Sequence, residues 1–182
     1  MKNNVFYFVE GKCEVALLQA LKESPEKIIP GKIKEFNLIQ KIIPKSILIS
    51  IRPETKVVFV FDTDVPVTQQ LRNNINQVKK FCPKVEIVFL PQVKNLEDEL
   101  ERCTDVSRIS DLTQSASKKD FKRDFCANKN CRAVLDKHNF DINKLWITEP
   151  PKAFSFITLN GKKLRNKRVG KFAHSFLNYT KH

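Results

Sequence analysis

Continuous apolar runs alternate with amphipathic stretches along the first hundred residues of the chain. VFYFV at 5–9 is wholly apolar. From Gly11 the positions Val15, Leu17, Leu18 and Leu21 recur at helical spacing to about Ser24, where Pro25 intervenes. KIKEFNL at 32–38 alternates well enough for a short second strand, and 39–51 reads as helical in its later part. VVFVF drives a third strand over 56–62, and a polar helix carrying Leu71, Ile75 and Val78 runs from about Thr68 to Phe81, stopped by Pro83. VEIVFLP at 85–91 is a fourth strand, and NLEDELERC at 95–103 opens another helix with Asn95 as its cap.

Strands that alternate with helices predict βαβ units and an α/β fold with a mostly parallel four-stranded sheet flanked by helices. Runs that are apolar at every position, rather than at every second one, predict strands covered on both faces. Right-handed crossovers then bring every strand's carboxyl end to one edge. The Ser/Thr-rich segment 104–119 reads as a join, dividing a domain over 1–110 from a basic region over 111–182 that packs on it or extends it. Within that region only HNFDINKLWIT and AFSFITL promise regular structure, the second as an extra strand.

Composition narrows the class. With 29% charged and 41% hydrophobic residues in 182, the chain reads as a folded globular protein. No apolar run approaches the roughly 20 residues that span a bilayer. The run before Glu10 is too short for a signal-peptide core, so the expectation is a cytoplasmic protein with no membrane partner. Five cysteines without dense spacing are expected to stay reduced. Cys126 and Cys131 with His138 lack the second ligand pair of a structural zinc site. Trp146, the sole tryptophan, is expected in the core.

The net charge of +13 is lopsided. Residues 1–117 hold 17 Lys and Arg against 15 Asp and Glu, whereas 118–182 hold 16 against 5. The excess includes KKDFKR at 118–123 and GKKLRNKRVGK at 161–171, interleaved with phenylalanines. Lys118, Lys119, Lys162, Lys163, Arg165, Lys167, Arg168 and Lys171 are therefore candidate contacts to a polyanion, DNA or RNA.

Acids recur at the predicted carboxyl edge: Glu10 after the first strand, Asp62 and Asp64 after the third, Glu97 after the fourth. Read alone, the DTD of VVFVFDTDVP could equally begin a turn and cap a helix that starts at Pro66. Together the acids supply what divalent-metal chemistry on phosphates requires, hard oxygen ligands converging from separate elements. A dehalogenase-like phosphatase also ends a strand in DxD, but on its first strand and without a proline two residues on.

Glu10 in FVEGKCE, followed by DTD after a buried strand, resembles the Toprim domain over about residues 4–103. That domain is shared by topoisomerases, bacterial primases, recombination-repair proteins, OLD nucleases and a small ribosomal-RNA maturase. NLEDEL is similar to the helix start that supplies a further metal ligand in the OLD-type enzymes, which maps onto Glu97, with Asp98 and Glu99 as competitors. The resemblance implies a Rossmann-like domain binding one or two Mg²⁺ or Mn²⁺ ions through Asp62, Asp64 and Glu97. Glu10 would hold metal or act as general acid/base. Pro66 stands where topoisomerases and primases usually carry a third acid, so the nuclease branch matches better. The implied activity is metal-dependent phosphodiester hydrolysis, with a lysine (Lys12, Lys94, Lys119 or Lys122) neutralising the phosphate. The alternative is a Toprim-fold module that binds nucleic acid or a protein partner, or self-assembles, without hydrolysis.

Overall fold

The computed structural model describes residues 4–23 and 28–159. Four strands, β1 (Val5–Val9), β2 (Lys32–Glu35), β3 (Lys56–Asp62) and β4 (Glu86–Gln92), form an all-parallel sheet in the order β2-β1-β3-β4. β1 is buried at every position and β3 at all but its two ends, as their unbroken apolar runs require.

Side chains leave the two faces alternately. Tyr7, Val9, Val58, Val60, Val88 and Leu90 pack beneath α1 (Lys12–Glu23) and two later helices, α4 (Leu96–Cys103) and α6 (Lys118–Ala127). Phe6, Phe8, Val57, Phe59 and Phe61 pack against α2 (Lys45–Ile49), α3 (Gln69–Phe81) and Phe154. The chain therefore leaves β1 over one face to reach β2, then crosses the other face to reach β3. The sheet's topological switch point lies between β1 and β3, and in open parallel sheets ligands bind in the crevice beyond the carboxyl ends of such a pair. Gly31, just before β2, allows close packing: a Cβ there would stand 2.3 Å from the Val5 carbonyl oxygen.

Beyond residue 104 the expectation of a mostly irregular region is corrected. Helices α5 (Ile109–Thr113), α6 and α7 (Cys131–Lys137) follow one another, and Ile109, Leu112, Phe121, Phe125, Cys131 and Leu135 join the core that covers α1. Ser117 and Asn130 cap α6 and α7 through side chains that accept from the Asp120 and Ala133 amides. HNFDINKLWIT yields only a 3₁₀ turn at Ile142–Lys144, with Trp146 buried beyond it. AFSFITL begins as a 3₁₀ turn at Lys152–Phe154 and meets β4 through a single parallel bridge, Leu159 to Phe89. Pro150 and Pro151, which cannot donate to a ladder, precede it. No helix among the described residues is long and apolar enough to cross a membrane.

Candidate functional site

Asp62 ends β3 and Glu10 follows β1, so the switch point puts both carboxylates at one crevice. Glu10 is held from two sides: Asn37 Nδ2 donates to Oε1 at 2.7 Å and the Asp62 amide donates to Oε2 at 3.2 Å. The middle residue of DTD explains how the turn is built. Thr63 is buried, its hydroxyl donates to the Gln92 carbonyl at 3.0 Å, and the same oxygen accepts from the Lys94 amide at 3.1 Å. The Lys94 carbonyl in turn accepts from the amides of Thr63 and Asp64, with Lys94 in the left-handed region at φ 64°. The β3 turn and the turn leading to α4 are thereby stitched together. The helix-cap reading of DTD is excluded, because α3 starts at Gln69 with Thr68 as its cap.

Asn95 caps α4 by accepting from the Asp98 amide at 3.1 Å, which fixes the rotation of that helix and separates its three acids. Glu97 turns into the cleft, nearly buried, where its Oε1 lies 2.8 Å from Lys122 Nζ on α6. Glu99 does structural work instead. It is fully buried and accepts from the Val93 amide, Arg102 Nη2 and the Trp146 amide at 3.0, 2.7 and 3.2 Å. Asp98 is half-buried and lies outside the cleft lining. Of the three competitors, Glu97 is the one at the site.

A fifth acid went unread in the sequence. Glu14, in the first turn of α1, is 6% exposed and lines the cleft, its Oε2 accepting from the Gly11 amide at 3.0 Å. Its signal was present in EGKCE: four residues after Glu10, on a helix that starts at the sheet edge, a side chain returns to the same side.

These acids enclose an open cleft of about 700 Å³ whose lining also includes Lys12, Cys13, Lys122, Arg123 and Cys126. Asp64 is exposed beyond that lining, yet close enough for its charge to act on both Glu10 and Asp62. Burial, reinforced by the charges of Glu14, Glu10, Asp64 and Glu97, pushes the Asp62 carboxyl up to about 8. Burial raises Glu10 and Glu14 as well. Asp62 Oδ1 is buried without a hydrogen-bond partner among the described residues. Lys122, its charge favoured chiefly by Glu97, sets its amine on that buried carboxylate although most of its side chain is exposed. Lys12 and Lys119 are exposed, as is Lys118 on the first turn of α6, while Lys94 serves the turn through its backbone. Lys162, Lys163, Arg165, Lys167, Arg168 and Lys171 lie outside the described residues.

Among the described residues no three His, Cys, Asp or Glu side chains are already gathered closely enough to cage a metal ion. The donor set nevertheless suits a hard divalent cation: carboxylate oxygens from three elements, one of them orphaned, carrying more negative charge than one lysine offsets. Cys126 and Cys131 diverge, Cys126 facing Cys13 and Cys131 donating to backbone carbonyls within its own region. Compared with protein-family models, curated proteins and solved structures, the chain matches none of them.

Proposed function

We propose that the chain is a Toprim-like, divalent-metal-dependent nuclease that hydrolyses phosphodiester bonds of DNA or RNA. The observation that carries this reading is the gathering of Glu10, Glu14, Asp62 and Glu97 at the switch point, where Lys122 pairs with Glu97 alone and Asp62 Oδ1 is left buried without a partner among the described residues. A site that merely binds phosphate gains nothing from acids there.

Asp62, Asp64, Glu14 and Glu97 are the residues that would hold Mg²⁺ or Mn²⁺, with Glu10 beside them. When bound, such an ion polarises a phosphate oxygen and makes water more acidic. The chain's own groups supply the remainder. Glu10, oriented by Asn37 and by the Asp62 amide, is placed to take a proton from the attacking water, and its burial-raised carboxyl makes it a better base than an exposed glutamate. Lys122 brings positive charge to the phosphate on which negative charge accumulates. Lys118 and Lys119, on the same helix and exposed, extend that charge toward a bound strand.

A second reading has one specific observation in its favour. Lys122 already neutralises Glu97, as it would in a module that binds nucleic acid without cutting it. The experiment that separates them incubates the full chain with labelled single- and double-stranded DNA and RNA, with Mg²⁺ or Mn²⁺ and then with EDTA. Cleavage of at least one substrate, lost with EDTA and in Asp62→Ala, is the expected result. Retained binding with no cleavage under either metal sinks the nuclease reading in favour of the module.

A further inference from the structure

Two thiols from different helices meet on the wall of the cleft. Cys13 stands in the first turn of α1 and Cys126 in the last turn of α6, and their Sγ atoms are 2.9 Å apart across 113 residues of sequence. Both are partly exposed and both line the cleft, whereas Cys82, Cys103 and Cys131 are buried. A disulfide bond is about 2.05 Å long, so the pair needs to close by less than about 1 Å to bond, a movement within reach of side-chain rotation. Cys13 Sγ also lies 3.5 Å from the Lys122 carbonyl, which places the pair against the backbone that carries the cleft's lysine.

We propose that Cys13 and Cys126 form a modification site for low-molecular-weight disulfides such as glutathione disulfide, and that oxidation fastens α6 to α1 and fixes the cleft's width at Lys122. The exchange proceeds in two displacements. One cysteine thiolate attacks glutathione disulfide, whose S–S bond breaks to release one glutathione. The other cysteine then attacks the protein sulfur of the mixed disulfide and expels the second glutathione. The two protein thiols lose two electrons and two protons in total, and these end on the two glutathione thiols.

Lys122 precedes Cys126 by four residues, one turn, so both project from the same side of α6. Opposite them, α1 starts two residues after Glu10. A cross-link between the helices therefore joins the lysine wall of the cleft to its acidic wall, and a phosphodiester backbone entering between them can no longer push them apart. The effect on cleavage rests on the nuclease reading; the cross-link itself does not.

The test uses the full reduced chain treated with excess glutathione disulfide, alkylated and mapped by mass spectrometry without reductant, alongside thermal melts and cleavage assays. A Cys13–Cys126 peptide within one chain is expected, with the melting temperature raised by roughly 5–10 °C, given the long loop it closes. Cleavage is expected to fall severalfold and to return with dithiothreitol, while the double variant Cys13→Ser/Cys126→Ser cleaves equally in both conditions. Glutathione left on either cysteine, a cross-link between chains, or an unchanged melting temperature overturns the clasp. A cross-link that leaves wild-type cleavage unchanged overturns its control of the cleft. If the cross-link and the melting shift appear but the reduced protein cuts nothing, the nuclease reading fails and the clasp is upheld.

Discussion

Asp62 lies under both burial and four like charges, and its titration should be visible in the stability of the whole protein. A carboxyl held at about 8, against an ordinary 3.8, binds its proton more tightly in the folded chain than in the unfolded one. Its contribution to stability is therefore complete below about pH 4 and lost as pH rises through 8. In EDTA, melting temperature should fall between pH 5 and pH 9, and Asp62→Asn should flatten that slope and melt higher at the alkaline end. Cation binding near neutrality should release protons, readable as a buffer-dependent heat by calorimetry. Lys122 makes a different case. Its side chain is 61% exposed, so Lys122→Met should cost no more than about 1 kcal/mol of stability. It also frees Glu97, so cation affinity should rise in calorimetry while cleavage falls, a split that loss of folding does not produce.

At the scale of elements, α4 shows how one turn of helix divides its acids between two tasks. Glu97 and Glu99 are both buried, yet only Glu99 is fully partnered, tying β4's exit, Arg102 and the Trp146 segment together. Glu99→Ala strands those donors and should cost about 3 kcal/mol by denaturant titration, whereas Glu97→Gln should leave the unfolding midpoint nearly unchanged and weaken cation binding. β1, β3 and β4 were legible from their apolar runs, β2, exposed at three of its four positions, only from alternation, and α1, α3 and α4 from their apolar stripes. Helices α5, α6 and α7 were not. They span 5 to 10 residues, and α6 spreads Phe121 and Phe125 among charges, so its helicity depends on packing against α1. Glu14 was missed for a related reason: an acid in a helix's first turn has an ordinary explanation in the helix dipole, and only the tertiary placement of α1 gives it a second one.

At the scale of the whole molecule, a cleft that gathers four acids belongs to a chain whose net charge is +13. Residues 160–182 alone carry seven lysines and arginines and no acid. Ending the chain at Leu159 should weaken nucleic-acid binding uniformly across sequences and flatten the dependence of log affinity on log salt. Hydrolysis of a saturating substrate should change little, and filter binding at several ionic strengths reads the difference.

On the metal-binding reading proposed above, the stitching at Thr63 bears on which ions the cleft accepts. One hydroxyl joins the turn carrying Asp62 and Asp64 to the turn that launches Glu97, so the backbones that carry these acids are tied to one another by the chain itself. A frame of that kind discriminates by ionic radius: Mg²⁺ and Ca²⁺ differ in preferred oxygen distance by several tenths of an ångström, and only a pliable ring of ligands serves both. Thr63→Val keeps the shape and removes the stitch. If the cleft holds Mg²⁺ as proposed, the expected signature is relaxed selectivity, with Ca²⁺ competing better in Thr63→Val than in the wild-type protein.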